Sequence, residues 1–400
     1  MNSKTLTQQI TYLGANDQDI KLFENIWPIN QGISYNCYLI DDEQTALIDT
    51  VEKNFSDELL EQLKATLKSK TLDYLIINHM EPDHSGTVQA IIEQYPNVTI
   101  VGNHKTAVFL EGFYDIAEDK VKQVKTGDVL EIGQHQLQFH QTPMVHWPES
   151  MVCYEAKTKT LFSSDIFGGY KTVDDQPMAD QRNNLDEYID QARSYFATVI
   201  GGYTRPAARV LKQLNKLEIE TIAPAHGLVW QKKSKLIMDL YQNWAKYQTD
   251  KEADDGVTVI VGSMYGHTFE IGSLLKKELE KSGLKVDLLD ASKDSITDQL
   301  GTVWKNKGLI IGSCTYSNGL LPQVKSLLDA LEERKIQNKV LGIFSSHSWT
   351  GGAMRHLQQF AQDSKLALLD PQFETQYKMR AEAKQSATDL TKTMADALKK

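Results

Sequence analysis

One segment of this 400-residue chain, 75-LIINHMEPDHSGTVQAII-92, indicates the fold of its first half most clearly. It opens with an apolar run that predicts a buried strand, and after Ser85 its apolar residues recur at helical spacing, which predicts a helix capped by that serine. Between them, four side chains of metal-binding types fall within six residues: His79, Glu81, Asp83 and His84. A short loop held between a strand and a helix has the rigidity that a metal site needs.

Taken alone, each of these four residues is more often a solvated loop residue than a metal ligand. Four candidates in six positions, directly after an apolar strand, are much less common. Imidazole and carboxylate groups are ordinary ligands of transition metals, so the spacing favours a metal site. We expect Gly86 to let the start of the helix approach its neighbours closely, because glycine has no Cβ atom.

Three further candidates also follow predicted strands: His146 in 142-TPMVHWPES-150, Asp165 in 160-TLFSSDIFGG-169 and His226 in 221-TIAPAHG-227. Each also has a structural interpretation, because a strand-end aspartate often caps the next element and a lone histidine is often a satisfied core or surface group. The remaining histidines show no such pattern, and we assign none of them to the metal site: His104, His135, His140, His267, His347 and His356.

Composition excludes several functional classes. The formal net charge is -10 and no basic block stands out, which argues against a nucleic-acid or anionic-membrane partner. There are 3 cysteines and no C-x-x-C pair, so a disulfide framework or a cysteine-ligated cluster is not expected. The chain has no apolar run of about 20 residues and no signal peptide, which predicts a cytoplasmic protein without a membrane span.

The chain is long enough for two domains, and its two halves differ in pattern. Residues 1–250 mix short strands with helices, which predicts a mixed sheet sandwich flanked by helices. The polar segment 246-KYQTDKEADDG-256 is interpreted as a linker. Residues 251–400 alternate continuous apolar strands with amphipathic helices, which predicts a parallel, doubly wound sheet and makes the whole chain an α/β multidomain protein.

Three loops follow strands of the second half: 262-GSMYGHTFEIG-272, 312-GSCTYSNGLLP-322 and 345-SSHSWTGGA-353. The first leads into a helix start, where backbone N–H groups and hydroxyls form an anion site. It has neither a G-x-G-x-x-G nor a G-K-[ST] pattern and no Lys or Arg, so we expect a phosphate held by dipoles and hydroxyls. Serine- and threonine-rich loops are often only caps, but in a doubly wound sheet three such loops converge on one ligand-binding crevice.

The pattern His-x-Glu-x-Asp-His, followed in order by His146, Asp165 and His226, resembles the metallo-β-lactamase fold. More specifically, it is similar to the variant found in flavodiiron proteins, the A-type flavoproteins of the rubredoxin:oxygen oxidoreductase type. The resemblance covers essentially the whole chain. It implies a metallo-β-lactamase-like αββα sandwich that carries a diiron site over residues 1–250, followed by a flavodoxin-like FMN-binding domain over residues 251–400.

Zinc hydrolases of this fold usually have His-x-His-x-Asp-His, whereas this chain has Glu81 at the second position. Mixed oxygen and nitrogen ligation suits iron better than a hydrolytic zinc pair. By resemblance, the first iron binds His79, Glu81 and His146, the second binds Asp83 and His226, and Asp165 bridges them. His84 is a ligand in some members only. The resemblance also places Met80, Pro82, Trp147 and Pro148 around the ligands, where they exclude water and orient them.

The resemblance implies that FMN binds in the crevice formed by the three loops of the second half. The residues expected to line it are Ser263, Met264, Tyr265, Gly266, His267, Thr268, Ser313, Cys314, Thr315, Tyr316, Ser317, Asn318, Gly319, Ser346, His347, Ser348, Trp349, Thr350 and Gly351. Trp349 has three readings: stacking on the flavin, contact with a dimer partner, or core packing. Cys314 replaces a common proline and His347 departs from the usual third loop, which leaves the flavin potential and the electron donor open.

As an oxidoreductase of this family, the protein would reduce O2 to water, which takes four electrons, or couple two NO to N2O, which takes two. Such activity would protect the cell from oxygen or nitrosative stress. Because a fused rubredoxin is not seen, electrons would come from a separate rubredoxin-like protein or a flavin or NAD(P)H reductase. Family members form head-to-tail homodimers, so a dimer or a dimer of dimers is expected.

Two other functions remain open at this point. One is a dizinc hydrolase of the lactamase fold fused to a flavodoxin-like domain, against which Glu81 argues. The other is an electron carrier whose first half is only a scaffold, against which the full set of candidate ligands argues. The preference between O2 and NO is not readable from the sequence.

Overall fold

The computed structural model describes residues 3–7, 9–174, 176–249 and 253–399. The chain divides into two compact units. The first comprises Met1–Phe196 and Arg205–Gln242, and the second comprises Ala197–Thr204 and Asn243–Lys400. The predicted linker lies partly outside the described residues, which omit 250–252. The predicted domain limits at residues 250 and 251 therefore stay a prediction.

The first unit contains two sheets. Its strands are β1 Lys4–Thr5, β2 Ile10–Asp17, β3 Leu22–Phe23, β4 Trp27–Pro28, β5 Ile33–Asp41, β6 Thr45–Ile48, β7 Tyr74–Ile76, β8 Thr99–Gly102, β9 Val121–Gln123, β10 Val129–Glu131, β11 Gln136–Gln141, β12 Met151–Glu155, β13 Thr160–Ser164 and β14 Thr221–Pro224. One sheet has the order β1-β2-β5-β6-β7-β8-β9 and the other the order β10-β11-β12-β13-β14. Strands β6 to β9 are mutually parallel, and so are β13 and β14.

The two sheets pack face to face, as the sequence predicted for a sandwich. The ring of Tyr38 on β5 lies 5.3 Å from that of Phe162 on β13, and the Tyr38 hydroxyl donates to the Pro224 carbonyl at 2.7 Å. The helices of this part of the chain are α1 Ser56–Leu67, α2 Pro82–Ser85, α3 Val88–Gln94, α4 His104–Tyr114, α5 Asp186–Tyr195, α6 Thr204–Leu214 and α7 Ser234–Lys246.

Helix α1 shows how sequence spacing becomes packing. Leu59, Leu63 and Leu67 recur at intervals of four residues, and all three are buried, while Glu61 and Lys64 between them face water. Burying a leucine side chain contributes roughly 1.5–3 kcal/mol. The apolar stripe therefore holds α1 to the unit.

The loops that carry the predicted metal ligands follow β7, β11, β13 and β14. The loop after β7 is packed tightly. A Cβ atom on Gly86 would lie 2.5 Å from the Pro82 carbonyl oxygen and 2.6 Å from the Lys53 nitrogen. The expectation that Gly86 permits a close approach is confirmed, and this approach fixes the loop against its neighbours.

The predicted cap of α3 is wrong. Ser85 is the last residue of the short helix α2, and its hydroxyl donates to the carbonyls of Met80 at 2.9 Å and Glu81 at 3.1 Å. The reason is Pro82, which is well suited to the first turn of a helix and starts the separate helix α2 six residues before α3 begins. Ser85 therefore closes the metal-ligand loop on itself.

Residues 22–28 form a hairpin of the strands β3 and β4. Glu24 and Asn25 at its tip have φ angles of 52° and 56°. Two consecutive residues in the left-handed region are characteristic of a type I′ turn, which reverses the chain between paired strands. The tip of this hairpin lines a cavity next to two of the predicted metal ligands.

A buried carboxylate next to β5, hydrogen-bonded to a histidine, gives a stability prediction. Oδ2 of Asp42 lies 2.6 Å from Nδ1 of His135 and accepts a hydrogen bond from the His135 N–H at 2.8 Å. Burial opposes the charge, but these bonds and one from Glu43 lower the pKa of Asp42 to about 2. We expect Asp42→Asn to lower the free energy of unfolding at pH 7 by about 2 kcal/mol, measured by urea denaturation.

Because the pKa of Asp42 is lower in the folded protein than in the unfolded chain, this stabilisation is present above about pH 4 and is lost as the pH falls through about 2. The control is Asp41→Asn, whose carboxylate is 40% exposed and pairs with Lys70. An exposed pair of this kind contributes about 0–1 kcal/mol. Equal losses in the two variants would contradict the assignment.

The second unit is a single doubly wound sheet. Its strands are β15 Asp254–Gly262, β16 Lys285–Asp290, β17 Asn306–Tyr316, β18 Gly319–Leu320, β19 Val340–His347, β20 Ala367–Leu368 and β21 Phe373–Gln376, and its helices are α8 His267–Lys281, α9 Ile296–Lys305, α10 Pro322–Glu333, α11 Ala353–Ser364 and α12 Ala381–Leu398. The parallel order is β16-β15-β17-β19-β20, with β21 also paired to β19 and β18 folded back on β17. This confirms the sheet predicted from the alternating pattern.

Apolar side chains of α8 and α12 cover the middle of this sheet. Ile271 and Leu275 of α8 and Leu390 and Met394 of α12 belong to one buried cluster with Val259 at the centre of β15. Because both faces of a parallel sheet are covered, its strands are apolar throughout and not in alternation. In the described parts of the chain, no helix combines the length and apolar character needed to cross a bilayer.

Candidate functional site

The structure brings all seven predicted metal-ligand residues into one place. They form two adjoining groups, in which the possible ligand atoms lie within 4.8 Å of one another: His79, Glu81, His146 and Asp165, and Asp83, His84 and His226. Among the described residues, none of the six histidines set aside from the sequence joins either group. Four separate strand-end loops therefore meet, as strand ends on the same edge of a sandwich can.

In the first group, one carboxylate oxygen faces two imidazoles. Oε2 of Glu81 lies 3.0 Å from Nε2 of His146 and 3.3 Å from Nε2 of His79. Glu81 precedes a proline, which restricts it to extended backbone, and its ψ angle is 140°. The proline thus helps to hold the glutamate in the direction of the two histidines.

In the second group, the two imidazoles share Asp83. Oδ2 of Asp83 lies 3.2 Å from Nε2 of His226, and its Oδ1 lies 3.4 Å from Nε2 of His84. Helix α2 places Asp83 and His84 next to each other on a single turn. His84 therefore points into the cluster in this structure.

Asp165 joins the two groups, and its two oxygens are divided between them. Oδ2 lies 3.4 Å from Nε2 of both His79 and His146. Oδ1 lies 3.0 Å from Nε2 of His84 and 3.4 Å from Nε2 of His226. A carboxylate in this position can contact one ion with each oxygen.

Most of these side chains are hidden from water. His79, His84 and His226 are 0% exposed and Asp165 is 1% exposed. Burial disfavours a charged imidazole, yet neighbouring carboxylates raise the pKa of His146 to about 9 and of His226 to about 10. Burial also opposes the charge of Asp165, but the surrounding histidines lower its pKa. In the metal-free protein, the positive charge of the protonated imidazoles balances the negative charge of the carboxylates. A bound cation would displace these protons.

The hydrogen bonding of the cluster tests whether cations fit. Several buried atoms have no hydrogen-bond partner among the described residues: both carboxylate oxygens of Asp83, Oδ2 of Asp165, and Nε2 of His146 and of His226. Buried polar atoms of this kind are normally satisfied, so a group of them pointing at one spot indicates absent ligands. The donor set of four imidazoles and three carboxylates fits two transition-metal ions.

Partners outside the cluster hold the imidazoles in place. Nδ1 of His79 lies 2.7 Å from Oε1 of Glu149, which also accepts the Met80 N–H at 3.0 Å. Nδ1 of His226 lies 2.7 Å from the Ser34 carbonyl oxygen. These contacts leave Nε2 of both rings directed at the cluster. Sequence reasoning missed Glu149, although it stands three residues after His146.

Two further contacts complete the surroundings. The Tyr195 hydroxyl donates to Oδ1 of Asp165 at 2.9 Å, and nothing in the sequence around Tyr195 indicated this. The Trp147 ring lies 5.1 Å from the His79 ring, edge to face. Of the other residues expected around the ligands, Met80 is buried, Pro148 is half-buried and Pro82 is exposed.

A cavity of about 510 Å³ opens beside the cluster. Glu81 and Asp83 line its inner side, and Phe23 and Glu24 at the end of the β3–β4 hairpin line its outer side. Burial, with the nearby charge of Glu81, raises the pKa of Glu24 to about 7, and Trp27 donates a hydrogen bond to it. The cavity gives a small molecule a path to the two ligand groups.

In the second unit, the three predicted flavin loops meet at the carboxyl ends of β15, β17 and β19. The hydroxyls of Thr268 and Ser346 lie 2.8 Å apart, which joins the first loop to the third. The Ala353 N–H donates to the Thr315 hydroxyl at 3.3 Å, which joins the second loop to the third. The sheet therefore forms a crevice where doubly wound folds bind ligands.

The second of these loops is more regular than the sequence suggested. Strand β17 continues to Tyr316 and returns as β18, with Ser317 and Asn318 in the left-handed region at φ angles of 46° and 61°. Ser313 is buried, and its hydroxyl donates to the Cys314 carbonyl and accepts from the Leu321 N–H. Nδ1 of His347 lies 3.2 Å from Oε1 of Glu374, a residue that sequence reasoning did not select.

Large apolar side chains are exposed around this crevice. Tyr265 is 89% exposed and Trp349 is 83% exposed, and the other large exposed ones among the described residues of this unit are Met264, Tyr316 and Tyr377. Tyr316 is the last residue of β17, and the others follow the carboxyl ends of strands. Clustered exposed aromatics mark a surface that binds something else.

Comparisons with known proteins agree with this geometry. The family model described as ODP family beta lactamase matches residues 33–227, and the flavodoxin model matches residues 259–390. The chain is 31% identical to the nitric oxide reductase of Moorella thermoacetica, over 98% of this chain and 97% of that protein. These matches follow the order of the two halves.

Two solved structures are similar over nearly the full length. The rubredoxin oxygen:oxidoreductase from the anaerobe Desulfovibrio gigas has a TM-score of 0.92 at 26% identity, covering 100% of this chain and 99% of that one. The flavodiiron protein from Giardia intestinalis has a TM-score of 0.92 at 25% identity, covering 100% and 98%. The chain belongs to the flavodiiron family of oxidoreductases, whose cofactors are FMN and a non-haem diiron centre.

Proposed function

We propose that this protein reduces O2 to water, NO to N2O, or both, at two iron ions held by the seven-residue cluster. In this proposal the first ion binds His79, Glu81 and His146, and the second binds Asp83, His84 and His226. Asp165 bridges the two. The observation that carries the assignment is the division of the Asp165 oxygens, Oδ2 toward the first group and Oδ1 toward the second.

When bound, the iron pair supplies the site for the diatomic substrate and FMN supplies electrons to it. The protein's own residues perform the rest. Glu81, Asp83 and Asp165 provide the negative charge that favours iron in its higher oxidation state. Glu149 and the Ser34 carbonyl fix two of the imidazole rings, and burial of the cluster limits the access of water.

We propose that FMN occupies the crevice between the three loops of the second unit. Supporting this, Gly266 precedes α8 with a φ angle of 95°, and its N–H donates to the Ser263 hydroxyl at 3.0 Å, which places that hydroxyl beside the start of the helix, where a phosphate would bind. The exposed rings of Tyr265 and Trp349 are suited to stacking on a flavin. His347, paired with Glu374, is a candidate for tuning its potential.

The remaining assignments are part of the same proposal. The domain limits are 1–250 and 251–400, and the family matches to residues 33–227 and 259–390 support them. The electron donor is a separate rubredoxin-like protein or a reductase, in keeping with the name of the Desulfovibrio gigas relative. The protein acts in the cytoplasm as a head-to-tail homodimer or a dimer of such dimers.

Anaerobic reduction followed by mixing with O2 or NO tests the function. Purified protein should contain two iron ions and FMN per chain, and the reduced protein should consume at least one of the two gases over many cycles. Removal of iron by a chelator should abolish gas consumption while the flavin absorbance still bleaches on reduction. Zinc without iron would support the hydrolase instead, and iron with no gas consumption would support the electron carrier.

A further inference from the structure

Glu24 stands in a backbone conformation that does not suit a glutamate. It is the first of the two tip residues of the β3–β4 hairpin, with a φ angle of 52°, and Asn25 follows with 56°. Glycine, asparagine and aspartate adopt this left-handed region most readily, whereas longer side chains seldom do. Residues held in such conformations cluster at functional sites, which makes the Glu24 side chain a candidate for a function.

The hairpin is anchored at its base on a metal ligand. Phe23, the residue before Glu24, is buried, and its ring lies 5.5 Å from the ring of His226, edge to face. The Phe23 ring also lies 5.6 Å from that of Tyr170. This packing fixes the end of β3, so the tip of the hairpin has a defined position beside the metal cluster.

Glu24 borders the same cavity as the metal ligands. It is half-buried and lines this cavity of about 510 Å³ together with Glu81 and Asp83, one ligand from each of the two groups. Oε2 of Glu24 accepts a hydrogen bond from Nε1 of Trp27 at 3.1 Å, which orients the carboxyl group across the hairpin. The bond occupies one oxygen, so the other can carry and donate a proton.

The surroundings of Glu24 favour its protonated form. Burial is the main cause that raises its pKa to about 7, and Glu81 and Asp83 raise it further, whereas His146 and the bond from Trp27 act in the opposite sense. The other charged residues among those that line the cavity are Asp17 and Glu52. The effect of burial does not depend on metal ions, so it persists when cations are bound. A carboxyl group with a pKa near neutral pH can both give and regain a proton.

The reactions of the proposed function consume protons at this place. Reduction of O2 takes four electrons and four protons and gives two water molecules. Coupling of two NO takes two electrons and two protons and gives N2O and one water molecule. The electrons come from the reduced cofactors. The protons need a donor that reaches the substrate on one side and solvent on the other.

We propose that Glu24 is a catalytic residue of this site: its carboxyl group donates protons to the substrate oxygen that becomes water. In each transfer the O–H bond of Glu24 breaks, an O–H bond forms on the substrate oxygen, and the carboxylate takes up a new proton from solvent through the cavity. The proposal rests on the proposed function, because it takes O2 or NO as the substrate of the cavity.

The first test is Glu24→Gln in the full chain loaded with iron and FMN. Glutamine has the same size and can still accept the bond from Trp27, but it cannot donate an acidic proton. We expect unchanged iron and FMN content and gas consumption that is lower by about 100-fold. Wild-type turnover should fall as the pH rises through about 7, because the protonated form of Glu24 is lost, and Glu24→Gln should lack this fall.

A second readout does not depend on activity. Infrared difference spectra of the loaded wild type across neutral pH should show a protonated carboxyl group that titrates well above the ordinary glutamate pKa, and Glu24→Gln should lack this signal. Glu52→Gln is the matched control, because Glu52 lines the same cavity, and it should keep the infrared signal, the turnover and the pH profile. Wild-type turnover and pH profile in Glu24→Gln, or loss of its iron, would overturn the proposal.

Two further outcomes are distinguished by other proteins in the same series. If Glu24→Gln does not fold, Glu24→Asn replaces it, since asparagine suits the positive φ angle, and it should lose turnover without lowering the midpoint of urea denaturation. If the wild type consumes neither gas, the proposed function fails and this inference fails with it. If the wild type consumes a gas and the Glu24 variants match Glu52→Gln, only this inference is wrong.

Discussion

Replacement of Glu81 by histidine is expected to exchange iron for zinc in the purified protein and to lower gas reduction by at least about 100-fold. Glu81 contributes the carboxylate oxygen that lies 3.0 Å and 3.3 Å from the nitrogens of His146 and His79. With an imidazole there, three neutral nitrogens would face the first ion and Asp165 would be its only charged ligand, a set that suits zinc better than ferric iron. The side chain borders the cavity, so the larger ring has space.

Metal analysis and gas consumption, measured on the same preparation of Glu81→His, check this prediction. The matched control is Glu52→Gln, because Glu52 lines the same cavity and its side chain caps the Asn54 N–H, which glutamine can also do. The control removes one negative charge from the cavity without removing a ligand, so it should keep its iron. If Glu81→His retains iron and wild-type turnover, the glutamate does not determine the metal.

The metal ligands could be predicted from the sequence because they follow strands. A strand end fixes where the next side chains point, and sandwich topology brings the ends of β7, β13 and β14 to one edge. The roles of Glu149 and Tyr195 could not be predicted from the sequence in the same way. Glu149 contacts His79 across 70 residues and Tyr195 contacts Asp165 across 30. Contacts at such separations depend on tertiary packing and leave no periodic signal.

Turn geometry explains the other differences between sequence and structure. The hairpins at Glu24-Asn25 and Ser317-Asn318 each need two consecutive residues with positive φ. In each pair only the asparagine is a residue type that favours a positive φ angle. A prediction based on apolar runs does not detect such a turn and assigns the whole segment to one strand or to one loop. Both hairpins border a candidate binding site, so the local conformation hardest to read from the sequence lies close to the function.

The carboxylates of the metal cluster carry negative charge that must be balanced by protons or by a bound cation. Without metal, the carboxylates are balanced by imidazoles whose pKa values lie at about 9 for His146 and about 10 for His226. Because these pKa values are raised above the ordinary histidine value, the stabilisation from this balance is complete below about pH 6.5, and it is lost as the imidazoles give up their protons when the pH rises through 9 to 10. Metal ions replace the protons, so iron uptake at neutral pH must release them.

Glu149 is the outer residue whose replacement should have the largest effect on iron binding. Its carboxylate is 1% exposed and lies 2.7 Å from Nδ1 of His79. Although burial opposes ionisation, the bond to His79 lowers the pKa of Glu149. An ionised partner at Nδ1 makes Nε2 of the same ring a stronger donor to a metal ion.

Glu149→Gln is therefore expected to weaken iron binding at the His79 side of the cluster by about 10–100-fold, measured by titrating iron(II) into the metal-free protein. The matched control is Glu155→Gln, since Glu155 is also buried but lies at the far end of β12, where it accepts the N–H groups of Lys157 and Thr158. That variant should lose stability without a change in iron affinity, because its carboxylate holds a turn and no ligand. If Glu149→Gln bound iron as tightly as the wild type, the bond to His79 would be merely structural, and the basicity of this ligand would have to arise from Asp165 and Glu81 alone.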